Sequence, residues 1–522
     1  NREALRISYQ YFKLNKGMFC RVKSGGVLGI DGFEVDVEVD VSPGLPQFNI
    51  VGLPDKAINE AKDRVKSALK NSGFSIPTKK ITVNLSPSHV KKQGTLYDLP
   101  IAVGILQISG VVDVPQDVVV LGELSLDGKI NKVMGVLPIV LSLKEEGYRK
   151  FFVPEANAFE GGIVEGVEVY GFGSVNELVE HLKGIKQKDP VKVCIEELLK
   201  DSESFDIDLS DVYGQTLAKR AIEISCAGMH HLLLIGPPGA GKSMLAKRMI
   251  TIMPPLTFGE AIEITRIYSV AGLLTDALIK TRPFRSPHHT ASDVALIGGG
   301  TFPTPGEISL AHRGILFLDE MVEFSRKALE ALRQPMEDGF VHITRAGGRV
   351  RFPAHFLLVG AINPCPCGNY GNPYKACVCS PSQIRNYQSK LSGPILDRID
   401  LKVWVEPVNK EDLINAKGGE SSHKVRERIK RAFEAQKERF KGSHTLFNGR
   451  MKEKEVEKYC TMDKDAKSFL RQAIERLNLT GRSYIRLLKV SRTIADLEGE
   501  EVIRLHHISE ALQFRVEDKL LI

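Results

Sequence analysis

The sequence predicts a multidomain α/β protein: an N-terminal α+β domain, an α/β core in which short apolar strands alternate with helices, and a helical C-terminal lid. Three patterns predict it. Residues 33–41, Phe-Glu-Val-Asp-Val-Glu-Val-Asp-Val, alternate apolar and acidic side chains with the period of a strand. The apolar run Leu232–Ile235 leads into Gly236-Pro-Pro-Gly-Ala-Gly-Lys-Ser243, a strand, glycine-rich loop and helix in succession. Beyond residue 407 helical stripes replace strands, as in Lys424–Lys441, where Val425, Ile429, Ala432, Phe433 and Phe440 share a face. The expected organisation is an extension at 1–17, the first domain at 18–183, a polar aperiodic linker at 184–206, the core at 207–407 with a four-cysteine insertion, and the lid at 408–522.

A chain of 522 residues exceeds one hydrophobic core. No apolar run reaches the length of a membrane span, and the N-terminus lacks a charged-then-apolar secretory pattern, so the expectation is a cytoplasmic protein without a membrane partner. The formal charge of +7 is compatible with polyanion binding and does not require it. Eight cysteines in so long a chain are no disulfide framework. Four of them cluster, as Cys365-Pro-Cys367 and Cys377-Val-Cys379, and two close thiolate pairs can close a tetrahedral structural Zn²⁺ site; free thiols and a redox pair are the alternatives.

Taken in order, Met18 opens a strand-like segment, and residues 32–51 read as a pair of strands broken at Pro43-Gly-Leu-Pro46. Asp55–Ser72 places Ile58, Ala61, Val65, Ala68 and Leu69 on one helical stripe, with Gly73 as its stop. Lys80–Leu85 returns as a strand, Asp98 is expected to cap a helix running to Ile108, and Val118–Ile130 reads as a hairpin turning at Asp127-Gly128. Gly122-Glu-Leu-Ser-Leu-Asp-Gly128, Val133-Met-Gly-Val-Leu-Pro138 and Leu143-Lys-Glu-Glu-Gly147 make this domain resemble the proteolytic domain of Lon, which implies a fold like domain 2 of ribosomal protein S5. By that resemblance Leu96 stands where the nucleophilic Ser would be and Pro138 where its activating Lys would be. Neither side chain attacks a carbonyl or carries a proton, so the fold is expected without the peptidase. Thr95 and Ser125 are nearby hydroxyls that could restore it.

The glycine-rich word carries phosphate chemistry. Gly236, Pro237, Pro238, Gly239, Ala240 and Gly241 form a loop whose backbone cradles phosphates, Lys242 reaches the outer phosphates, and the Ser243 hydroxyl meets Mg²⁺. Asp211-Val-Tyr-Gly-Gln215 precedes a helix and is expected to lay Tyr213 and Gly214 against the adenine of ATP. Gly314-Ile-Leu-Phe-Leu-Asp-Glu320 is a buried strand delivering two carboxylates: Asp319 holds Mg²⁺ through water and Glu320 polarises the attacking water. Phe356–Asn363 ends another buried strand in an amide, where AAA+ ATPases place their first sensor, Asn363. Arg398, in Pro394-Ile-Leu-Asp-Arg-Ile-Asp400, looks like an arginine finger for a neighbour's nucleotide, the alternative being an ion pair with Asp397 or Asp400. Arg482 is the candidate second sensor and Arg486, one turn on, its competitor.

Arg282-Pro-Phe-Arg-Ser-Pro-His-His-Thr290, Pro305-Gly-Glu-Ile-Ser-Leu-Ala-His312, Leu332-Arg-Gln-Pro-Met-Glu-Asp338, Asn363-Pro-Cys-Pro-Cys-Gly368 and Arg492-Thr-Ile-Ala-Asp-Leu497 together resemble the YifB/ComM family of magnesium-chelatase-like AAA+ ATPases. The resemblance implies a helix-2 insert, a homo-oligomeric, hexameric ring and, for competence-linked members, ATP-driven branch migration of DNA, single-stranded or branched. It also implies that the hairpin read over Phe340–Phe352, turning at Gly347-Gly348, faces the ring channel. Arg345, Arg349 and Arg351 would there follow phosphates; otherwise they are a solvated surface. His288 and His289 read as part of an insert loop rather than a metal site, since adjacent side chains diverge. The expected activity is therefore an ATP-dependent ring motor on DNA, against a chelatase-type ATPase driving metal insertion, an ATP-dependent protease, or a nucleotide-gated scaffold.

Overall fold

The computed structural model describes residues 19–195, 198, 205–300, 303–345, 348–407, 419–443, 445–477 and 479–515. The expected extension at 1–17, part of the linker, the hairpin turn at Gly347 and the Arg345 side chain lie outside the described residues. The chain divides into two compact units. The first is Asn1–Lys200, Ala261–Ile279 and Arg345–Val350, and the second is Asp201–Glu260, Lys280–Thr344 and Arg351–Ile522. No helix among the described residues is long and apolar enough to cross a membrane.

The first unit is built on a seven-stranded sheet. Its strands are β1 (Phe19–Leu28), β2 (Asp31–Ser42), β3 (Gln47–Val51), β4 (Lys80–Ser86), β5 (Val118–Val120), β8 (Lys150–Pro154) and β9 (Glu168–Phe172), with β6 (Glu123–Leu124) and β7 (Ile130–Asn131) apart as a small hairpin. The order is β3-β4-β2-β1-β5-β8-β9. The alternation in β2 has the expected cause: Val35, Val37, Val39 and Val41 are buried, while the acids between them face cations on β1, with Lys23 2.8 Å from Asp36 and Arg21 2.8 Å from Glu38. The helix Lys56–Asn71 buries the predicted stripe, Asp55 accepting from the Ile58 N–H at 2.8 Å and Gly73 closing it at φ +86°.

Both strands expected over residues 32–51 form, as β2 and β3, with β4 lying between them and contributing buried Ile81, Val83 and Leu85. Two expectations need correction. The Val118–Ile130 hairpin shrinks to β6 and β7, since the apolar Val118–Val120 is drawn into the large sheet beside β1 and β8. Asp98 does not cap its helix, Asp98–Ile108, whose N-cap is Tyr97. Its buried carboxylate instead accepts from Arg64 at 2.7 and 3.0 Å and from the Leu124 N–H at 3.2 Å. Burial pushes the Asp98 carboxyl up to about 6 although Arg64 pulls the other way. Leu96 and Pro138 are buried apolar side chains, and the Thr95 and Ser125 hydroxyls donate to the carboxylates of Glu123 and Asp127.

The second unit has a parallel five-stranded sheet in the order β11-β14-β17-β10-β18: Phe284–Arg285, Ile315–Leu318, Leu357–Ile362, Leu232–Ile235 and Leu401–Trp404. Strands β10, β14 and β17 are apolar and buried throughout, as expected for a sheet covered on both faces. Short strands β12 (Gly298–Gly299) and β13 (Thr304–Pro305) pair with each other, as do β15 (Phe340–Arg345) and β16 (Gly348–Pro353). The same core runs on through the helices Ser422–Arg439, Gly481–Glu498 and Leu505–Gln513 by way of Val425, Phe433, Leu488, Ile494 and Phe514. Asp400 ties the sheet to these helices. It lies 3.5 Å from His230 and 3.7 Å from Arg486, and despite burial the hydrogen bond and charge of His230, then Arg486, hold its carboxyl well below the usual range.

Candidate nucleotide site

Parallel pairing brings three strand ends together. Register places Ile235 beside Ile362 and Leu318 beside Gly360, so the glycine-rich loop, Asp319-Glu320 and Asn363 emerge side by side at the carboxyl end of the sheet. They line a cleft of about 480 Å³ together with Met244 and Ala361. Gly239 and Gly241 adopt φ of +77° and +92°, which lets the loop curl back over the start of the helix Lys242–Arg248.

The polar groups are already coordinated to one another. Lys242 Nζ donates to the Gly236 and Pro237 carbonyls at 2.7 and 2.9 Å and to Asn363 Oδ1 at 3.1 Å. Burial draws its ammonium down to about 8, opposed by Asp319 and Glu320. Ser243 Oγ donates to Asp319 Oδ2 at 2.6 Å, so a hydroxyl and a carboxylate converge where a divalent cation would take both as oxygen ligands. Glu320 occupies the left-handed region at φ 49° and ψ 44°, a conformation non-glycine residues seldom adopt. Tyr213 and Gly214 precede Gln215, whose amide donates to the Glu406 carbonyl at 2.6 Å and approaches the Ala240 carbonyl at 3.4 Å, tying that segment to the loop.

Two predicted arginines lie elsewhere in the chain. Arg398 is buried, donates to the Pro394 carbonyl at 2.6 Å and pairs with Glu337, rather than with Asp397 or Asp400. Arg482 is exposed and lines a separate cavity with Asp397, Asp400 and Arg486. Neither lines the nucleotide cleft. In the hairpin, Arg349 is exposed and the Arg351 guanidinium lies 3.2 Å above the Phe340 ring.

The four cysteines follow Asn363 directly. Sγ of Cys365 is 3.4 Å from Cys367 and 3.7 Å from Cys377, Cys367 and Cys377 are 3.6 Å apart, and Cys379 completes a group whose sulfurs all lie within 4.8 Å of one another. A tetrahedral Zn–S₄ centre with 2.3 Å bonds requires sulfurs about 3.8 Å apart, so the donor set fits Zn²⁺. Burial raises the Cys365 thiol, whereas backbone N–H groups lower Cys367 to about 6. The cysteine loop is seated on the phosphate loop: a Cβ on Gly368 would fall 2.4 Å from Pro238 Cδ. The other histidine-rich cluster, Glu498, His506 and His507, is a hydrogen-bonded helix start. There His507 Nδ1 accepts from the Arg504 N–H at 2.9 Å, which leaves the proton on the Nε2 facing Glu498.

Sequence reasoning missed three contacts here: Glu337 with Arg398, Gly368 with Pro238, and His289, whose Nδ1 lies 3.5 Å from Glu320 Oε2. The signal for the last is the pairing of β11 with β14, which the two-residue length of β11 hides from pattern analysis.

Residues 208–413 match the family described as magnesium chelatase, subunit ChlI, residues 37–157 that described as subunit ChlI of Mg-chelatase, and residues 419–515 the C-terminal part of the same subunit. The competence protein ComM of Haemophilus influenzae is 44% identical over 507 residues, covering 96% of this chain and 98% of the relative. The YifB protein of Escherichia coli is 39% identical over 509 residues, covering 96% and 98%. An archaeal Lon protease of Methanocaldococcus jannaschii is 26% identical over 166 residues, covering 30% of this chain and 25% of the protease.

Proposed function

Because the chain belongs to the ComM/YifB family of magnesium-chelatase-like AAA+ ATPases, we propose that it is an ATP-driven ring motor that remodels DNA, moving the branch points of recombination intermediates in a helicase-like manner. The observation that supports hydrolysis is the convergence of Lys242, Ser243, Asp319, Glu320 and Asn363 in one cleft. Lys242 exchanges the carbonyls of Gly236 and Pro237 for the outer phosphates of ATP, regaining with a polyanion the charge that burial disfavours. Ser243 and Asp319 would hold Mg²⁺, which when bound would offset the negative charge of the phosphates. Glu320 polarises the attacking water and the Asn363 amide orients it. Tyr213 and Gly214 border the base.

The remaining roles extend the same reading. In a homo-oligomeric ring, a hexamer, Arg398 leaves Glu337 to meet the γ-phosphate bound by the next chain, with Arg482 as second sensor. The four cysteines hold a structural Zn²⁺. DNA, single-stranded or branched, is the partner; supporting this are the competence role in the name of the Haemophilus relative and the Arg345, Arg349 and Arg351 hairpin. The chelatase wording of the matched families favours one competing reading, metal insertion into a tetrapyrrole. Residues 37–157 match that wording too, so the first unit does not separate the two.

ATP turnover with and without four-way junction DNA, beside Glu320→Gln, tests the proposal. Junctions are expected to accelerate turnover and to migrate only with ATP. Glu320→Gln is expected to bind nucleotide yet lose about 10²–10⁴ in rate, the usual span of general-base catalysis. Unstimulated turnover with unmoved junctions removes DNA as the substrate; an unimpaired Glu320→Gln removes the hydrolytic assignment.

A further inference from the structure

We propose that the cysteine insertion is a contact for single-stranded DNA, with the Tyr374 ring as a platform for one base and with Lys375 and Arg385 taking backbone phosphates. The proposal deepens the DNA reading given above and rests on it.

Charge supplies the first observation. Residues 339–396 contain no Asp or Glu, although these make up 64 of the chain's 522 residues. The stretch holds Arg345, Arg349 and Arg351 of the β15–β16 hairpin, then Lys375, Arg385 and Lys390 around the cysteines. A surface that meets only water mixes both signs, so the loss of one sign over so long a run suits a surface that meets a polyanion. Neighbouring acids do not cancel the charge of the insertion. Lys390 pairs with Glu323 at 3.3 Å, whereas Lys375 and Arg385 are exposed and enter no ion pair among the described residues.

The second observation is a large ring held out into solvent, for Tyr374 is 69% exposed. The turn that carries it is built on the cysteines. The Gly368 N–H donates to the Cys365 carbonyl at 2.9 Å, the Tyr370 N–H to Cys365 Sγ at 3.3 Å, and the Asn369 amide to the Cys367 carbonyl at 3.2 Å. Asn372 then donates to Asn369 Oδ1 at 3.3 Å and accepts the Tyr374 N–H on its own Oδ1 at 2.9 Å. This ladder fixes the backbone beneath the ring, which lowers the entropic cost of binding. Beyond Cys379, the Ser380–Gln383 capping box starts the helix Pro381–Gln388, which carries Arg385. An exposed ring followed by a lysine suits an unpaired base and its phosphate, because every base has a face to stack and the contact needs no particular sequence. A duplex hides those faces, so the fit is to a single strand.

The insertion is also tied to the nucleotide cleft. Asn363, which accepts from Lys242, lies two residues before Cys365, Gln388 donates to the Pro364 carbonyl at 2.9 Å, and Gly368 is seated against Pro238. A strand held at Tyr374 therefore biases the loop that holds ATP, and by linkage ATP alters the affinity for the strand by the same factor.

Fluorescence anisotropy of a labelled oligothymidylate, with the full chain and a non-hydrolysable ATP analogue over a series of salt concentrations, tests the proposal. Tyr374→Ala should raise Kd by about 5- to 150-fold, the span of losing one base stack, and should abolish the effect of the oligonucleotide on analogue affinity. Tyr374→Phe keeps the ring and should stay within about threefold of wild type. A blunt duplex should not distinguish Tyr374→Ala from wild type. Lys375→Gln combined with Arg385→Gln should reduce the slope of log affinity against log salt by about 1.4, at about 0.7 per phosphate contact, while Tyr374→Ala leaves the slope unchanged. Analogue binding without DNA and thermal melting establish folding, and if Tyr374→Ala is misfolded the double variant decides. Wild-type affinity in folded Tyr374→Ala, an equal loss in Tyr374→Phe, a loss that extends equally to the duplex, or an unchanged slope in the double variant overturns the proposal, while DNA binding by the wild-type chain leaves the motor reading standing. A wild-type chain that binds no DNA removes both.

Discussion

Replacing Cys365 by Ser tests the cysteine centre with a magnitude that follows from the loop it closes. Cys365 is the most buried of the four and its Sγ lies within 3.7 Å of both Cys367 and Cys377. A hydroxyl there leaves three thiolates and a poor fourth donor for Zn²⁺. The metal would join the ends of residues 365–379, and cross-linking a loop of about 15 residues is worth roughly 3 kcal/mol in the chain-entropy treatment. For the second unit, at about 2.1 cal/mol/K of unfolding entropy per residue over roughly 300 residues, about 3 kcal/mol corresponds to a fall of roughly 5 °C in its melting transition. The assay pairs zinc content per chain, by elemental analysis, with calorimetric melting of the full chain in reducing buffer. Wild type should carry one zinc and lose stability with a strong chelator, whereas Cys365→Ser should carry little zinc and respond no further. Because Gly368 packs on Pro238, the variant should also bind ATP more weakly. Wild-type protein without zinc after expression in zinc-supplemented medium, or a variant with unchanged zinc, refutes the reasoning. A variant that melts low but still responds to chelator shows that packing, not metal, was lost.

Two further expectations concern buried charge. Arg64→Ala leaves the Asp98 carboxylate unpaired in the first unit and should destabilise it by about 3–5 kcal/mol at neutral pH. The folded Asp98 value of about 6 lies above the ordinary carboxylate value near 4, so the native chain binds the proton more tightly and stability falls as pH rises between them. Without Arg64 the folded value climbs further, so urea melts should show a smaller deficit near pH 5.5 than near pH 7.5 (on the order of those values), and equal deficits would exclude Asp98 as the cause. Glu337→Gln should weaken the internal partner of Arg398 and raise ATP turnover, whereas Arg398→Ala should lower it by about 10³ or more, the scale of an arginine supplied in trans. If Glu337→Gln instead depresses turnover as far as Arg398→Ala does, the pair is structural.

What was legible in the sequence was whatever depends on neighbouring residues. The phosphate loop needs its glycines, lysine and serine in one run, and Asp319 and Asn363 are marked by the buried strands that end in them. The helix Lys56–Asn71 announces itself by stripe, cap and stop within a single segment. The errors arose where a distant residue competed with a local rule. Asp98 fits an N-cap by position, but Arg64, 34 residues away, takes its carboxylate into the core. Arg398 was weighed against the two nearest acids, and its partner is Glu337, 61 residues earlier. His289 was judged by its adjacency to His288, whereas its environment is set by the strand pairing of β11 with β14.

The distribution of positive charge bears on how the cleft can work. A nucleoside triphosphate brings several negative charges, and in phosphoryl transfer further charge develops on the transferred group only at the transition state. Among the described residues that line it, the cleft offers one cation, Lys242, beside the cation that Ser243 and Asp319 would hold. The neighbouring arginines are committed elsewhere, Arg486 to Asp400 and Arg398 to Glu337. These commitments are unequal. Asp400 is buried, and His230 and Arg486 hold its carboxyl low, so releasing Arg486 would strand a charge in the interior. Glu337 is about half exposed and loses little if Arg398 leaves it, while Arg398 Nε is buried without an acceptor among the described residues. Of the two, Arg398 is held by the weaker pairing, and in the ring proposed above it is the arginine that would be released toward a neighbouring copy's nucleotide. A turnover rate that rises with chain concentration, and that an excess of Arg398→Ala subunits suppresses, is the kinetic form of that argument.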